Sequence, residues 1–409
     1  MQNRPFFFFL LILAFSSCRN YVAKPYAFPK PVDTTTKPIE MQEKKIYAIS
    51  EEGIFADNLF DGARLNGFRF VEGDLFQATI SPENIPVNNS PYYAFRIWSD
   101  SPKKIRLELN YTNGKHRYAP KISADGIHWE LLDSNQVELA KDSINAFLSL
   151  DISADTLWIA GQEVQNSKAV HAWCATKAQH PGLTLSSIGK SKLDRDLWLL
   201  DIHEGEIRHK DIIVILSRQH PPEVTGYFAM QAFVDEVLSD NPLSNAFRKK
   251  YHLLIFPLMN PDGVDMGHWR HSAGGVDLNR DWAYYNQPEN RQIADYIVQT
   301  AKKQKSKVIL GLDFHSTWWD VFYTNKEATE HLPQFKDFWL WGMRESLGTP
   351  TKESPSNVTG PNSKNWFFTQ FGAPGVTYEI GDSTPRDFII QKGKASATEM
   401  MELLIFKTD

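Results

Sequence analysis

Two folded bodies of different class are predicted within the 409 residues: an antiparallel β-sandwich, then an α/β domain with a mixed, mostly parallel, doubly wound sheet. The first follows from residues 46–173. There, short stretches such as YYAFRIW, IRLELNY and TLWIA alternate apolar and polar positions, favour β-branched and aromatic residues, and are separated by turn signals. The second follows from about Thr184 onward. Strand-like runs (DLWLLDI, DIIVILSR, HLLIFPL, KVILGLDFH, GVTYEI) alternate there with helically spaced segments beginning EVTGYF, PENRQI, LPQFKD and PRDFII, the pattern of a sheet covered on both faces. Composition supplies the core: the chain is 42% hydrophobic and 13% aromatic, well above what a disordered chain carries.

Taken in order, the chain opens on residues 1–17, MQNRPFFFFLLILAFSS. Arg4 precedes an apolar run, Phe6–Phe15, too short for the roughly 20 residues of a spanning helix but suited to the core of a secretory signal. Ser16 and Ser17 before Cys18 resemble the lipobox of bacterial lipoproteins, although Phe15 stands where the common pattern prefers Leu. The resemblance implies a lipidated Cys18 and an exported protein, periplasmic or at the cell surface, touching a membrane only through that anchor. Residues 18–45, rich in Pro, Thr and Lys, read as a semi-extended tether. The sandwich follows at 46–173, with Asn113-Gly114 and Asp125-Gly126 as hairpin-type turns. It shows no His/carboxylate cluster and reads as a structural or binding module. Residues 174–409 are expected to form the α/β domain.

The formal net charge of −5 argues against a general nucleic-acid binder, which usually carries a basic surplus. Two cysteines, Cys18 and Cys174, exclude a disulfide framework and a multi-Cys zinc module. Twelve histidines and 49 acidic residues leave a His/carboxylate metal site open. In open α/β sheets ligands sit beyond the carboxyl ends of strands, so the strand mouths matter most. The strand Asp211–Arg218 runs into Gln219-His220-Pro221-Pro222-Glu223, where His220 and Glu223 can point at one ion. The strand Lys307–Phe314 leads to His315. Two nitrogens and a carboxylate with an open fourth position make a catalytic zinc set, whereas Ca²⁺ or Mg²⁺ would favour more oxygens. Glu379 lies near the end of a third strand, in TYEIGD; alone it would pass for a solvent-facing strand residue. The segment between the first two mouths, MNPDGVDMGHWRHSAGGVDLNRDW (259–282), is too polar for core. It supplies Arg270 and Arg280, groups able to grip a carboxylate and an oxyanion.

RQHPPE, NPDG, the spacing of Arg270, GVDLNRDW, LDFHS and TYE, in this order, resemble the zinc carboxypeptidase family over residues 186 to about 390. The upstream SSIGKSKLDRDLWLLDI is similar to that family's entry strand, and a sandwich ahead of the domain is similar to its cytosolic-carboxypeptidase branch and bacterial relatives. There the motif reads HPGE, not HPPE. The resemblance implies one Zn²⁺ per chain on His220, Glu223 and His315, with Asp277 orienting His220. It implies Asn279 and Arg280 on the substrate's terminal carboxylate, Arg270 on the scissile carbonyl and Glu379 as general base. The implied substrate is a peptide with a free C-terminal carboxylate. Pro222 stands where the digestive branch has a substrate-binding Arg, and Asn357 where it has a mobile Tyr. Lys364, two residues before Trp366, falls near the position that sets side-chain preference, which suggests acidic terminal residues. Two other readings stay open: a zinc amidase or carboxypeptidase acting on cell-wall peptides, and a surface binding protein with a relict catalytic domain.

Overall fold

The computed structural model of the chain describes residues 22–406, so the apolar run and Cys18 lie outside the described residues. The larger domain is built on an eight-stranded sheet. Its spatial order is Leu183–Lys190, Asp196–Ile202, His252–Phe256, Ile212–Ser217, Val308–Thr317, Gly375–Gly381, Val321–Asn325, Glu353–Ser356. The four strands from 252–256 to 375–381 are mutually parallel, and antiparallel pairings flank them on both sides. Successive strand residues face opposite ways. Ile213, Ile215, Leu253 and Ile255 therefore enter one core, shared with helices Val224–Val237, Phe335–Leu347 and Arg386–Phe406. Ile212, Val214, Leu216, Leu254 and Phe256 enter another, shared with Pro288–Gln304 and Ser363–Phe371. Both faces are buried, and for that reason these strands read as continuous apolar runs. Helix Val224–Val237 comes close to the sheet through Gly226, where an added Cβ would lie 2.3 Å from the His315 carbonyl oxygen.

Two sheets of six and five strands make the sandwich. Every pairing in the six-stranded sheet is antiparallel. In the other, Leu75–Ile80 runs parallel to Lys103–Tyr111, a departure from the all-antiparallel expectation. Asp125-Gly126 does lie between paired antiparallel strands. Asn113-Gly114 does not: the strands on either side of it, Lys103–Tyr111 and Lys121–Ser123, belong to different sheets. A local turn signal cannot distinguish a hairpin from a crossing between layers.

Residues 22–45 have neither helix nor strand, and this part of the expected semi-extended tether packs against the folded body. Ala23, Phe28 and Thr34 are buried. Backbone donors of Tyr26, Lys30 and Lys37 reach the carbonyls of Ala283, Thr359 and Gly274 at 3.2, 2.7 and 2.8 Å. Proline keeps a chain extended without removing its capacity to pack, and here the extended segment straps the larger domain. Helix Ser167–Lys177 crosses the expected 173/174 boundary. It carries Cys174, a free buried thiol that burial pushes up to about 12, unreactive as a nucleophile.

Candidate metal centre and substrate cleft

After the strand Ile212–Ser217, Arg218 turns the chain with a left-handed φ of 54°. Its guanidinium donates to the Pro221 carbonyl at 2.7 Å, bracing the turn that presents His220 and Glu223 at the start of helix Val224–Val237. His315 comes from the neighbouring parallel strand; it lies inside Val308–Thr317 rather than just beyond a strand end. Glu223 sits between the two imidazoles. One oxygen is 2.8 Å from His220 Nδ1 and the other 2.6 Å from His315 Nδ1. Among the described residues these three form the cluster able to hold a metal, with ligand atoms all within 4.8 Å of one another. Burial opposes the Glu223 charge, but the two histidines keep the carboxyl ionised, below its usual range.

The far nitrogens are also engaged. His220 Nε2 lies 2.9 Å from Asp277 Oδ1, and His315 Nε2 lies 2.8 Å from Asp313 Oδ2. Each ring is thereby fixed with Nδ1 toward the shared point, the usual orientation device of metal-binding histidines. Gln219 Nε2 donates to Asp313 at 2.6 Å, and the Ser363 hydroxyl reaches the same oxygen. Asp313 was overlooked as a functional residue. Its spacing of two from His315 on a strand puts both on one face, a signal present in LDFH. Two nitrogens, one carboxylate and an orienting carboxylate behind each histidine fit zinc.

Asp277 organises the segment bearing Arg270, Asn279 and Arg280 as well. It accepts from Arg270 Nε at 2.7 Å and from the Asn279 backbone N–H at 2.8 Å, capping the short 3₁₀ turn Leu278–Arg280. Burial works against its ionisation; Arg270 and His220 overcome this and hold it well below the usual range. Asn279 Oδ1 accepts from the Ser363 N–H at 2.9 Å, and Arg280 donates to the Asn279 carbonyl at 2.8 Å.

The loop bearing Arg270 is held from the sandwich. Glu83, fully buried, accepts the backbone N–H groups of Trp269, Arg270 and His271 at 2.7, 3.1 and 2.7 Å. The Trp269 ring packs into the sandwich core.

Glu379 pairs in register with His315, and its Oε2 is buried with no hydrogen-bond partner among the described residues. Burial and the Glu223 charge push its carboxyl up to about 8. Lys364, 3% exposed, reaches Asn325 Oδ1, Ser356 Oγ at 3.3 Å and Asn365 Oδ1 at 2.9 Å, all neutral acceptors. Burial lowers its ammonium to about 8.

A cavity of about 300 Å³ gathers His220, Glu223, His315, Arg270, Asn279, Arg280, Lys364 and Glu379; Asp277 stands behind them. Its wall also includes Asn88 and Arg117 of the sandwich, and Tyr323, none of which carried a motif. Asn357 is exposed and Pro222 is not in the wall. The phenol present is that of Tyr323, raised by burial and by Glu379.

The sequence model of the zinc carboxypeptidase family, Peptidase M14, matches residues 170–396, more than half of the chain, which belongs to that family. It is similar to the cytosolic carboxypeptidase 6 of Mus musculus, 32% identical over 136 residues that cover 32% of this chain and 25% of that one. The Caenorhabditis elegans protein of the same name is 27% identical over 39% of this chain and 37% of its own. The chain thus spans well under half of the curated relatives it matches. Among solved structures, the metallo-carboxypeptidase of Burkholderia cenocepacia superposes with a TM-score of 0.70 at 17% identity, covering 86% of this chain and 98% of that one. The Pseudomonas aeruginosa metallo-carboxypeptidase gives 0.69 at 17% identity, covering 85% and 98%. These likenesses are of fold, and their coverage is too wide for the catalytic domain alone.

Proposed function

We propose that the protein is a zinc-dependent metallocarboxypeptidase that removes the C-terminal residue of peptides and favours acidic ones. The observation carrying this reading is the unpaired Glu379 oxygen in the same cavity as His220, Glu223 and His315. Zinc, when bound by these three, supplies a Lewis acid that brings the pKa of bound water to about 7. Arg280 and Asn279 receive the substrate's terminal carboxylate, the planar guanidinium matching it in a fork. Arg270, aligned by Asp277, donates to the scissile carbonyl oxygen as it becomes an oxyanion. Glu379 takes a proton from the attacking water and returns it to the amine nitrogen as the C–N bond breaks. Lys364 brings a buried cation whose partners are neutral; an acidic terminal side chain would give it the charged partner it lacks.

Release of terminal residues from a mixed peptide library, with and without chelator, tests this. Single residues should leave from the carboxyl end, Glu and Asp ahead of Phe and Lys, and zinc should restore chelated enzyme. Internal cleavage or chelator-resistant release would overturn the reading. Equal rates for Glu, Phe and Lys ends would remove the acidic preference alone.

A further inference from the structure

The strand Gly375–Gly381 gives the cleft a direction. Lys364 lies beside its start: an added Cβ at Gly375 would stand 2.2 Å from the Lys364 carbonyl oxygen. Thr377 and Glu379, on one face at a spacing of two, line the cavity in the middle. Just past the strand's end, Asp382 receives Arg117 Nε at 2.8 Å. At about 3.3 Å per residue, Asp382 lies roughly 10 Å beyond Glu379. Resting on the proposed function, Lys364 and Arg280 take the residue that leaves. Arg117 then lies across Glu379 from them, on the side where the retained part of the peptide must run.

Arg117 is a built feature of this wall. It comes from the connection between sandwich strands Lys103–Tyr111 and Lys121–Ser123, and its side chain is 5% exposed. Nη1 donates to the Asn89 carbonyl at 2.9 Å and Ser90 Oγ at 3.2 Å. Its guanidinium carbon lies 5.0 Å from the Trp318 ring centroid. Nε and Nη1 are thus committed, while Nη2 makes no hydrogen bond among the described residues. With Asp382 already balancing the charge, this remaining donor suits a neutral oxygen better than a second carboxylate.

We propose that Arg117 is a substrate-binding residue contributed by the sandwich. Its Nη2 takes a main-chain carbonyl of the retained peptide, about one or two residues upstream of the scissile bond, given an extended chain's rise of roughly 3.3–3.6 Å per residue. The test is kcat/KM for peptides of two, three or four residues with free amino termini and a common C-terminal Glu, so that the shortest has no carbonyl upstream of the scissile one, in the zinc-loaded wild type, Arg117→Met and Arg117→Lys. The wild type should gain about tenfold on lengthening, the size of one charge-assisted hydrogen bond. The long-to-short ratio should fall toward one in both variants. Arg117→Lys keeps a cation for Asp382, so the reading survives any loosening of the domain contact in Arg117→Met. A ratio unchanged in both variants, or a loss equal at every length, overturns the proposal. A gain specific to peptides with Glu upstream, lost in the variants, overturns the carbonyl assignment. Release from the shortest peptide tests the carboxypeptidase reading separately, and failure to cleave any peptide sinks both.

Discussion

The sheet domain and the sandwich reach the same cleft by different means. In the sheet domain, the polar residues sit in short motifs at the ends of adjacent parallel strands, where topology forces them together. The sandwich contributes single side chains from its connections: Glu83, Asn88 and Arg117. The first kind of contribution supplies the metal-binding cluster and the proposed base; the second lies around them in the cavity wall and behind Arg270. A domain without a catalytic motif can still shape a cleft by gripping the backbone of a residue that lines it, as Glu83 does beside Arg270.

Glu379→Gln tests the sheet domain's side of that division and should have the largest effect. The amide cannot take the proton, so kcat should fall by about 10²–10⁴, the usual range for a positioned base. Zinc content should stay at that of the wild type, because His220, Glu223 and His315 are untouched. Retained activity would remove the base assignment.

Glu83→Ala tests the sandwich's side. It strips the acceptor from three N–H groups around Arg270, those of Trp269 and His271 buried. Arg270, released from its alignment, should stabilise the oxyanion less well, lowering kcat by roughly tenfold to a hundredfold, somewhat below the loss expected for deleting such a donor outright. KM and zinc content should change little, and Glu83→Gln, which keeps an oxygen acceptor, should recover part of the rate. A variant that melts earlier but turns over normally at low temperature would reduce Glu83 to a packing residue.

Lys364→Met comes next. The methionine fills the space without a charge, so the preference for C-terminal Glu over Phe should shrink by about tenfold to a hundredfold, the worth of one charged hydrogen bond. An unchanged ratio would place acid recognition elsewhere.

This division also decides what could be read before folding. His220, Glu223 and His315 were legible because they lie at or near the carboxyl ends of apolar strands, which a parallel sheet aligns; Glu379, unremarkable alone, was placed by the family resemblance. Lys364 was placed by its distance from Trp366, and it does line the cavity. Asp313 could have been found from strand alternation. Glu83 and Arg117 could not: each is one charged residue in an ordinary loop, and its role exists only once two domains meet. The packed strap of residues 22–45 was missed for a similar reason. Several of its contacts are with residues more than two hundred positions away, such as Ala283 and Gly274, and composition carries no trace of them.

Two buried glutamates sharpen the contrast by pH. Burial alone would raise Glu83, but His271, His268 and Arg64 reverse this, and its carboxyl stays ionised below the usual range. Its contribution to stability is present above the unfolded value near 4.5 and is lost only in acid. Glu289, in the first turn of helix Pro288–Gln304, is equally buried. It accepts one N–H, from Lys192 at 2.9 Å, and its Oε2 has no partner among the described residues. Burial pushes it up to about 7. Here the sign is opposite: the folded state keeps a proton that the unfolded state gives up, so stability is full below about 4.5 and declines as pH rises through 7, by about 3 kcal/mol. Glu289→Gln removes the titration while keeping the shape. Thermal melts of both proteins from pH 4 to 8 should therefore coincide at the acid end, diverge as pH rises toward 7 and stay apart above it, with the variant the more stable. Activity should hardly move, because Glu289 lies outside the cavity. Parallel melting curves would show that the Glu289 carboxyl finds in solution the partner that its Oε2 lacks.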